Sequence, residues 1–429
     1  MAHFAIIAPP LAGHINALAA LAEALVARGH RVTLLGPADA RRWVRGAMEF
    51  QPIGSDLYPP GALSGDEKRM GALNGLFGVP SMIRDLARMT DMVCREAPAA
   101  LRRIGADAVI ADQMEPGGGL VAEALGLPFA TVATGLHINR SDKVPPPFVG
   151  WRYDPTPHGE WKVRGAYRVS DRMMRPIGDV LEHHCRRFGL QVRRDGAEFL
   201  SPLIDIAQAV PSIDYPRDDL PPTFHYTGPL RGARDRNPYP MPLLDRLPKG
   251  RPLAFCSFGT LQGSRLSLFR SVAKACARLD VNLVLVHCGR LSDVQARSLE
   301  RIGHTIVRDF VPQDRVLERA DIAILHGGFN TVLDALAVQT PMVVLPLAME
   351  QPAIAARLQR AGLARTVSPL TATAKRISRA MEGVLRDPKI GARLNHTANE
   401  IRQAGGAERA ADLIQRALAA RICEEPVHA

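Results

Sequence analysis

The sequence predicts an α/β protein of two doubly wound parallel-sheet domains facing a central cleft. The chain has 429 residues, too many for one ordinary core and enough for two domains of about 200 residues each. Short apolar runs alternate with amphipathic helical stretches, the pattern of β-α-β units whose parallel sheets are covered by helices. One Pro-, Gly- and Arg-rich stretch, residues 226–252, breaks all periodicity and separates two such series.

The first unit opens the chain. "HFAIIA" (3–8) reads as a strand and "PPLAGH" as a loop. Ile15, Leu18, Leu21, Ala22, Leu25 and Val26 then share one helical face that ends at Gly29, and "RVTLL" (31–35) reads as the next strand. The pattern returns in "DAVIAD" (107–112), in "PGGGLVAEALG" as a turn into a helix, and in "PFATVAT". Residues 136–225 are less regular, with a helical piece near 165–188. After the break come strands at 253–259, 282–288, 304–311, 320–325 and 341–347, and helices at 264–279, 330–338 and 351–361, with further helices closing the chain. These readings divide the chain into residues 1–228, a linker 229–250, a second domain 251–405, and a closing segment 406–429 expected to pack back on the first domain.

Apolar residues make up 46% and charged residues 23%, a composition for folded cores rather than disorder. The net charge is +11, from 54 basic and 43 acidic residues. The basic residues are scattered, aromatics are 5%, and no nucleic-acid module signature is present, so no nucleic-acid partner is expected. Peripheral contact with an acidic lipid surface is the association that this charge favours. Six cysteines, at 94, 185, 256, 276, 288 and 423, form no Cys-x-x-Cys pair. Their spacing implies reduced, mostly buried thiols in a cytoplasmic protein. His183-His184-Cys185 has no spaced partners and reads as a helix surface, not a metal site. The start, "MAHFAIIAPPLAGH", lacks a basic leader and its apolar run ends at two prolines, so it is not read as a signal peptide. No run of about 18 apolar residues predicts a membrane-spanning helix.

Ligands of doubly wound sheets bind beyond the carboxyl ends of the strands, so chemistry is sought in the strand-to-helix loops. In "AILHGGFNTVLDAL" (323–336) an apolar strand runs into His326 and a helix that begins near Asn330. The free N–H groups of such a helix start favour an anion. Gly327 and Gly328 let a ligand approach the backbone, and Asn330 and Thr331 add an amide and a hydroxyl. Asp334 lies one turn from Asn330 on the same face, placed to accept hydrogen bonds from ribose hydroxyls. A plain capped helix after a Gly turn is the competing account. "CSFGTLQGS" (256–264) is a second loop of this kind, in which Ser257, Gly259 and Thr260 either meet a diphosphate or merely start a helix. In the first half, Gly13-His14 ends the loop after the first strand. A helix N-terminus disfavours imidazolium, so His14 is expected to be neutral and able to accept a proton, or else to be structural. Asp112 ends "DAVIAD" at the same sheet edge, either to orient that histidine or to cap the next helix.

The stretch from Phe310 to Gln351 resembles the donor-binding signature of the UDP-sugar glycosyltransferases of the two-domain GT-B fold. It carries "FVPQ", "HGGFNT", Asp334 and "EQ" in the family's order within about 40 residues. The resemblance implies that Phe310, the Val311 backbone and Gln313 hold uracil and ribose. It implies that His326, Asn330 and Thr331 meet the diphosphate, and that Asp334 holds the ribose. Glu350 and Gln351 would bind sugar hydroxyls. Phe310 replaces the Trp common in plant members, and Asp334 is one methylene shorter than the usual Glu. Gly13-His14 matches the family's motif for the general base, with Asp112 as its partner. The implied reaction is a single displacement with inversion on UDP-glucose as donor substrate, with no further cofactor. No Asp-x-Asp is present to hold a metal-bridged diphosphate.

Residues 57–92 are rich in Leu, Met, Gly and Phe, suited to a greasy acceptor and equally to an ordinary core. "PPGALS", "ADQMEPGGGLVAEALGLPF", "SFGTLQG" and "HCGRL" extend the resemblance to the bacterial carotenoid glucosyltransferases over nearly the whole chain. That branch implies a lipophilic hydroxylated acceptor, zeaxanthin first, glucosylated at one or both ends. Another lipophilic acceptor (terpenoid, sterol or polyketide), a UDP-sugar epimerase on the same fold, and a non-catalytic binding protein stay open at this point.

Overall fold

The computed structural model describes residues 1–63, 65, 78–232 and 241–422. In the first half the elements are β1 (His3–Ile7), α1 (Ala12–Val26), β2 (Arg31–Gly36), β3 (Glu49–Pro52), α2 (Gly78–Ile104), β4 (Ala108–Asp112), α3 (Gly117–Ala124), β5 (Phe129–Ala133), α4 (Pro157–Arg187), β6 (Asp205–Ala207) and β7 (Phe224–Tyr226). The second half runs β8 (Leu253–Ser257), α5 (Gly259–Gln262), α6 (Leu266–Arg278), β9 (Asn282–Val286), α7 (Asp293–Glu300), β10 (Thr305–Arg308), α8 (Gln313–Leu317), β11 (Ile322–Leu325), α9 (Phe329–Ala337), β12 (Met342–Val344), α10 (Gln351–Arg360) and β13 (Ala364–Thr366). It closes with α11 (Ala374–Leu385), α12 (Ile390–Ala404) and α13 (Gly406–Ile422).

Each half builds one parallel sheet, ordered β3-β2-β1-β4-β5-β6-β7 and β10-β9-β8-β11-β12-β13. The strand order reverses between β1 and β4 in the first sheet and between β8 and β11 in the second. There Ile7 pairs with Ala111 and Leu325 with Ser257. Crossovers leave in opposite directions at these points and open a crevice above each sheet. The central strands are buried along their whole length, which is why they read as continuous apolar runs rather than alternating ones. Together the two sheets give the GT-B architecture.

The chain returns to its start. Ala407, Ala410, Ala411, Ile414 and Leu418 of α13 are buried in the cluster that holds Leu18, Leu21 and Leu25 of α1. Their spacing is that of one helical stripe, and each fully buried Leu or Ile contributes about 1.5–3 kcal/mol. Arg28 reaches across to Asp412 at 2.8 Å and Glu408 at 2.7 Å. Another apolar cluster bridges the halves, joining Ala207, Ala209 and Val210 to Phe329, Leu333 and Ile354.

Several expectations are corrected. The helix expected near 165–188 begins at Pro157. Thr156 caps it by accepting the Gly159 N–H at 3.2 Å, and Pro at the first position suits that cap. Its internal Gly165 obscured the start. The strand expected over 304–311 stops at Arg308, where its pairing with β9 ends. His184 and Cys185 are buried, not on a helix surface. His184 packs between α2 and α4, with Nε2 on Asp91 at 2.8 Å. Among the described residues Cys94, Cys185, Cys256 and Cys276 are buried free thiols and Cys288 is half-buried. Cys423, part of the linker (233–240) and part of the Leu/Met/Gly/Phe-rich stretch (64 and 66–77) lie outside the described residues. No helix among those described is long and apolar enough to cross a membrane.

Candidate active site

Two sets of residues face each other where the two switch points meet. In the first half, β1 delivers His14 in the first turn of α1, and β4 ends on Asp112. His14 Nδ1 lies 2.8 Å from Asp112 Oδ2. Thr134, one residue beyond β5, completes the group: its Oγ1 donates to Asp112 Oδ2 at 2.7 Å and stands 2.7 Å from His14 Nδ1. The Met114 N–H donates to Asp112 Oδ1 at 2.9 Å, so the fully buried carboxylate is fixed on both oxygens. With Nδ1 turned to acceptors, the tautomer protonated there leaves Nε2 as the basic nitrogen.

Burial lowers the His14 pKa, but the Asp112 charge and hydrogen bond, and the charge of Glu350, raise it further; the net shift is upward. The downward push expected from the helix N-terminus alone is therefore overcome, and His14 binds its proton more tightly than a free imidazole. Two carboxylates outweigh the half-charge of a helix start. Glu350 comes from the other half, at the N-cap of α10. A Cβ added to Gly135 would lie 2.6 Å from Glu350 Oε2, so only glycine lets this carboxylate sit beside Thr134. Burial pushes the Glu350 pKa up; His14 opposes this and Asp112 adds to it.

In the second half, α9 begins at Phe329 with Gly328 as its N-cap, one residue earlier than its sequence suggests. By helix geometry the N–H groups of 329–331 have no intrahelical partner. His326, expected against the diphosphate, is 8% exposed. Its ring is buried between the two strand-end loops: a Cβ on Gly259 would stand 2.9 Å from Cε1 and Nε2, and one on Gly328 2.5 Å from Nε2. Gly259 also has φ +71° and donates to Ser257 Oγ at 3.2 Å, a left-handed turn that suits glycine. Burial pushes the His326 pKa down to about 4, against a raising backbone contact with Ser257. The ring is neutral, and its Nδ1 has no hydrogen-bond partner among the described residues. Thr260 sits in α5 beside this turn.

Asn330 spans the cleft. Its Nδ2 donates to the Gly13 carbonyl at 2.8 Å, and its Oδ1 accepts from Gln208 Nε2 at 3.0 Å. Asp334, one turn on, holds Arg231 Nε at 2.8 Å and Gln313 Nε2 at 3.0 Å. Thr331 Oγ1 donates to Gln313 Oε1 at 3.4 Å, and Arg231 also bonds the Asn330 carbonyl at 2.9 Å. So Gln313, Thr331, Asp334 and Asn330 form one group, stitched by an arginine from the stretch that reads as linker. Phe310 is 69% exposed beside it, while Val311 packs on the core. Gln351 is buried, and its Oε1 accepts the Leu347 and Ala348 N–H groups at 2.8 and 2.9 Å. It shapes the loop that presents Glu350, rather than pointing its carbonyl into the cleft.

Sequence reasoning missed Thr134, Gln208 and Arg231. Thr134 follows a strand end and was discoverable by the rule that found Asp112. Gln208 and Arg231 carried no signal of their own, because only the folding of 208–231 against α9 gives them partners.

A family model described as "UDP-glucoronosyl and UDP-glucosyl transferase" matches residues 199–394. The chain is 40% identical over 422 residues to the zeaxanthin glucosyltransferase of Pantoea ananas, covering 97% of this chain and 96% of that protein. It is 41% identical over 421 residues to the zeaxanthin glucosyltransferase of Pseudescherichia vulneris, covering 98% of each. Among solved structures, the glycotransferase of kitacinnamycin superposes with a TM-score of 0.77 at 23% identity, covering 97% of this chain and 99% of that one. That likeness supports the two-domain fold.

Proposed function

The chain belongs to the UDP-glucuronosyl and UDP-glucosyl transferase family of GT-B glycosyltransferases, and on that premise we propose that it glucosylates a hydroxylated carotenoid. The donor in this reading is UDP-glucose and the first acceptor is zeaxanthin, giving the mono- and diglucoside. The observation that carries the chemistry is the His14–Asp112–Thr134 group facing Glu350 across the cleft. The acceptor follows the two relatives of 40 and 41% identity.

In the proposed reaction His14 Nε2 takes the acceptor hydroxyl proton as the new bond forms from that oxygen to the anomeric carbon. The bond from that carbon to the diphosphate oxygen breaks, and UDP leaves with its electron pair. Attack opposite the leaving group inverts the anomeric centre. Asp112 and Thr134 stabilise the imidazolium through Nδ1. The leaving diphosphate lies against the N–H groups that start α9, with the loops of Ser257, Gly259, Thr260, Gly328 and Thr331 around it. His326 shapes the floor of that site by holding two glycine loops apart. Phe310 stacks on the uracil, with the Val311 backbone and Gln313 at its edge. Asp334 meets the ribose, and Glu350 binds sugar hydroxyls beside Gln351. The scheme uses UDP-glucose as its one cosubstrate and routes no step through a metal. A cytoplasmic enzyme meeting its acceptor at the inner membrane face fits this reading.

The test is incubation with UDP-glucose and zeaxanthin in detergent micelles, with mass spectrometry of the extract. Products heavier by one and two hexosyl units are expected. UDP release without a glycoside rejects the acceptor, and conversion of the UDP-sugar alone points to epimerase chemistry.

A further inference from the structure

We propose that the outward face of α4 docks on a lipid bilayer with anionic headgroups. The helix buries Val163, Ser170, Leu181 and Cys185 on its inner side. Opposite them, Trp161, Arg168 and Arg172 are spaced i, i+7 and i+11 and form one exposed stripe. Lys162, Val169 and Met173 are exposed along its flank. Trp161 is 65% and Val169 60% exposed, a large exposure for apolar side chains on a helix that already has a buried face.

The charge identifies the occupant. Arg164 and Arg175 have acidic neighbours one turn away, Glu160 at 3.8 Å and Asp179 at 3.7 Å, and Asp171 is paired with Arg140 at 3.0 Å. Among the described residues Arg168 and Arg172 have no ion-pair partner. Cations interleaved with tryptophan and aliphatic side chains on one helical face suit the headgroup region of an anionic bilayer. There the indole sits at the interface and the cations meet lipid phosphates. A two-fold contact of this face with a second copy would set like charges against each other.

The position makes the docking useful. The segment before α4 lies against α10, the helix that carries Glu350: a Cβ on Gly150 would be 2.8 Å from Pro352, and Arg360 lies over the Tyr153 ring at 5.5 Å. Trp151 on that segment is 45% exposed. The docking face therefore starts at the rim of the cleft, where a membrane-dissolved acceptor would enter. This use of the face rests on the lipophilic-acceptor reading; the docking itself does not.

The test is co-sedimentation of the full chain with vesicles of phosphatidylglycerol and phosphatidylcholine, against phosphatidylcholine alone, without acceptor. Binding to the anionic vesicles that is released by salt is expected. Arg168→Glu with Arg172→Glu should weaken partitioning roughly tenfold or more, and Trp161→Ser should weaken it at every salt concentration. Thermal unfolding and glucosylation in detergent should stay unchanged, because these side chains face solvent. No binding to anionic vesicles, or equal binding by wild type and variants, overturns the proposal. So does light scattering without lipid that shows wild-type self-association lost in the variants. If the acceptor reading alone is wrong, vesicle binding persists while no glucoside forms in detergent.

Discussion

Arg357 and Asp214 come from opposite halves of the chain and form a buried ion pair, Nε to Oδ1 at 2.8 Å. Asp214 also meets His137 Nε2 and the Tyr226 hydroxyl, each at 2.8 Å, and the Tyr215 N–H at 2.7 Å. The guanidinium lies over the Tyr215 ring at 4.3 Å. Arg357 belongs to α10, so this anchorage fixes the helix that sets Glu350 beside His14.

Removing the guanidinium leaves the buried Asp214 carboxylate with only its hydrogen bonds to His137, Tyr226 and the Tyr215 N–H. Arg357→Met is expected to lower stability by about 3–5 kcal/mol, read from denaturant unfolding. Arg357→Met with Asp214→Asn should cost less than the sum of the two single changes. Burial pushes the Asp214 pKa up, but His137 and Arg357 pull it well below the usual carboxylate range. A depressed folded pKa contributes stability that is fully present above the unfolded value of about 3.9 and is lost as pH falls below it. Wild type should therefore lose stability on acidification below about pH 4 more steeply than Asp214→Asn.

The raised pKa of His14 governs the acid side of the rate profile. A base must be neutral, so kcat/KM should fall as pH drops through a value above 6.5. Asp112→Asn removes the larger raising charge and should move that limb to lower pH while cutting the rate; Glu350→Gln should move it the same way. An unmoved limb in Asp112→Asn would detach the pair from the titration. His14→Ala should cut turnover by roughly 10²–10⁴ with UDP affinity near normal, and unchanged turnover would remove it as the base.

Gly328 has no side chain because the His326 ring fills that space. Gly328→Ala should weaken UDP binding and lower the melting temperature. In a His326→Ala background the same change should be nearly neutral, and calorimetric titration of the four proteins measures the coupling. Independent, additive effects would show that ring and glycine do not share the site.

Asp334→Ala removes the shared acceptor of Arg231 and Gln313 and, in the proposed complex, of the ribose. UDP affinity should fall roughly tenfold to a hundredfold, the scale of a hydrogen bond to a charged group. An unaltered dissociation constant would take Asp334 out of the ribose role.

Much of this was legible in the sequence for a physical reason. The strands that end on Asp112 and Ser257, and those that lead to His14 and His326, are buried along their whole length, so they read as apolar runs, and their carboxyl ends mark the sites. The contacts between the halves were not legible. Asp214, Arg357, Gln208 and Arg231 lie in segments without periodicity or on a polar stripe of a helix, and only docking gives them partners. The direction of the His14 shift was not legible, because the sequence shows its helix but not the two carboxylates that fold against it. The resemblance sets His326 against the diphosphate, but the sequence does not show that Gly259 and Gly328 leave room for its ring between the two loops.

In the proposed reaction an acceptor oxygen that His14 deprotonates displaces UDP directly from the anomeric carbon. The proton NMR spectrum of the glucoside made from UDP-α-glucose tests it most directly. Inversion gives a β-linked product, with the large anomeric coupling of a diaxial arrangement. An α-linked product would mean retention of configuration and would contradict it.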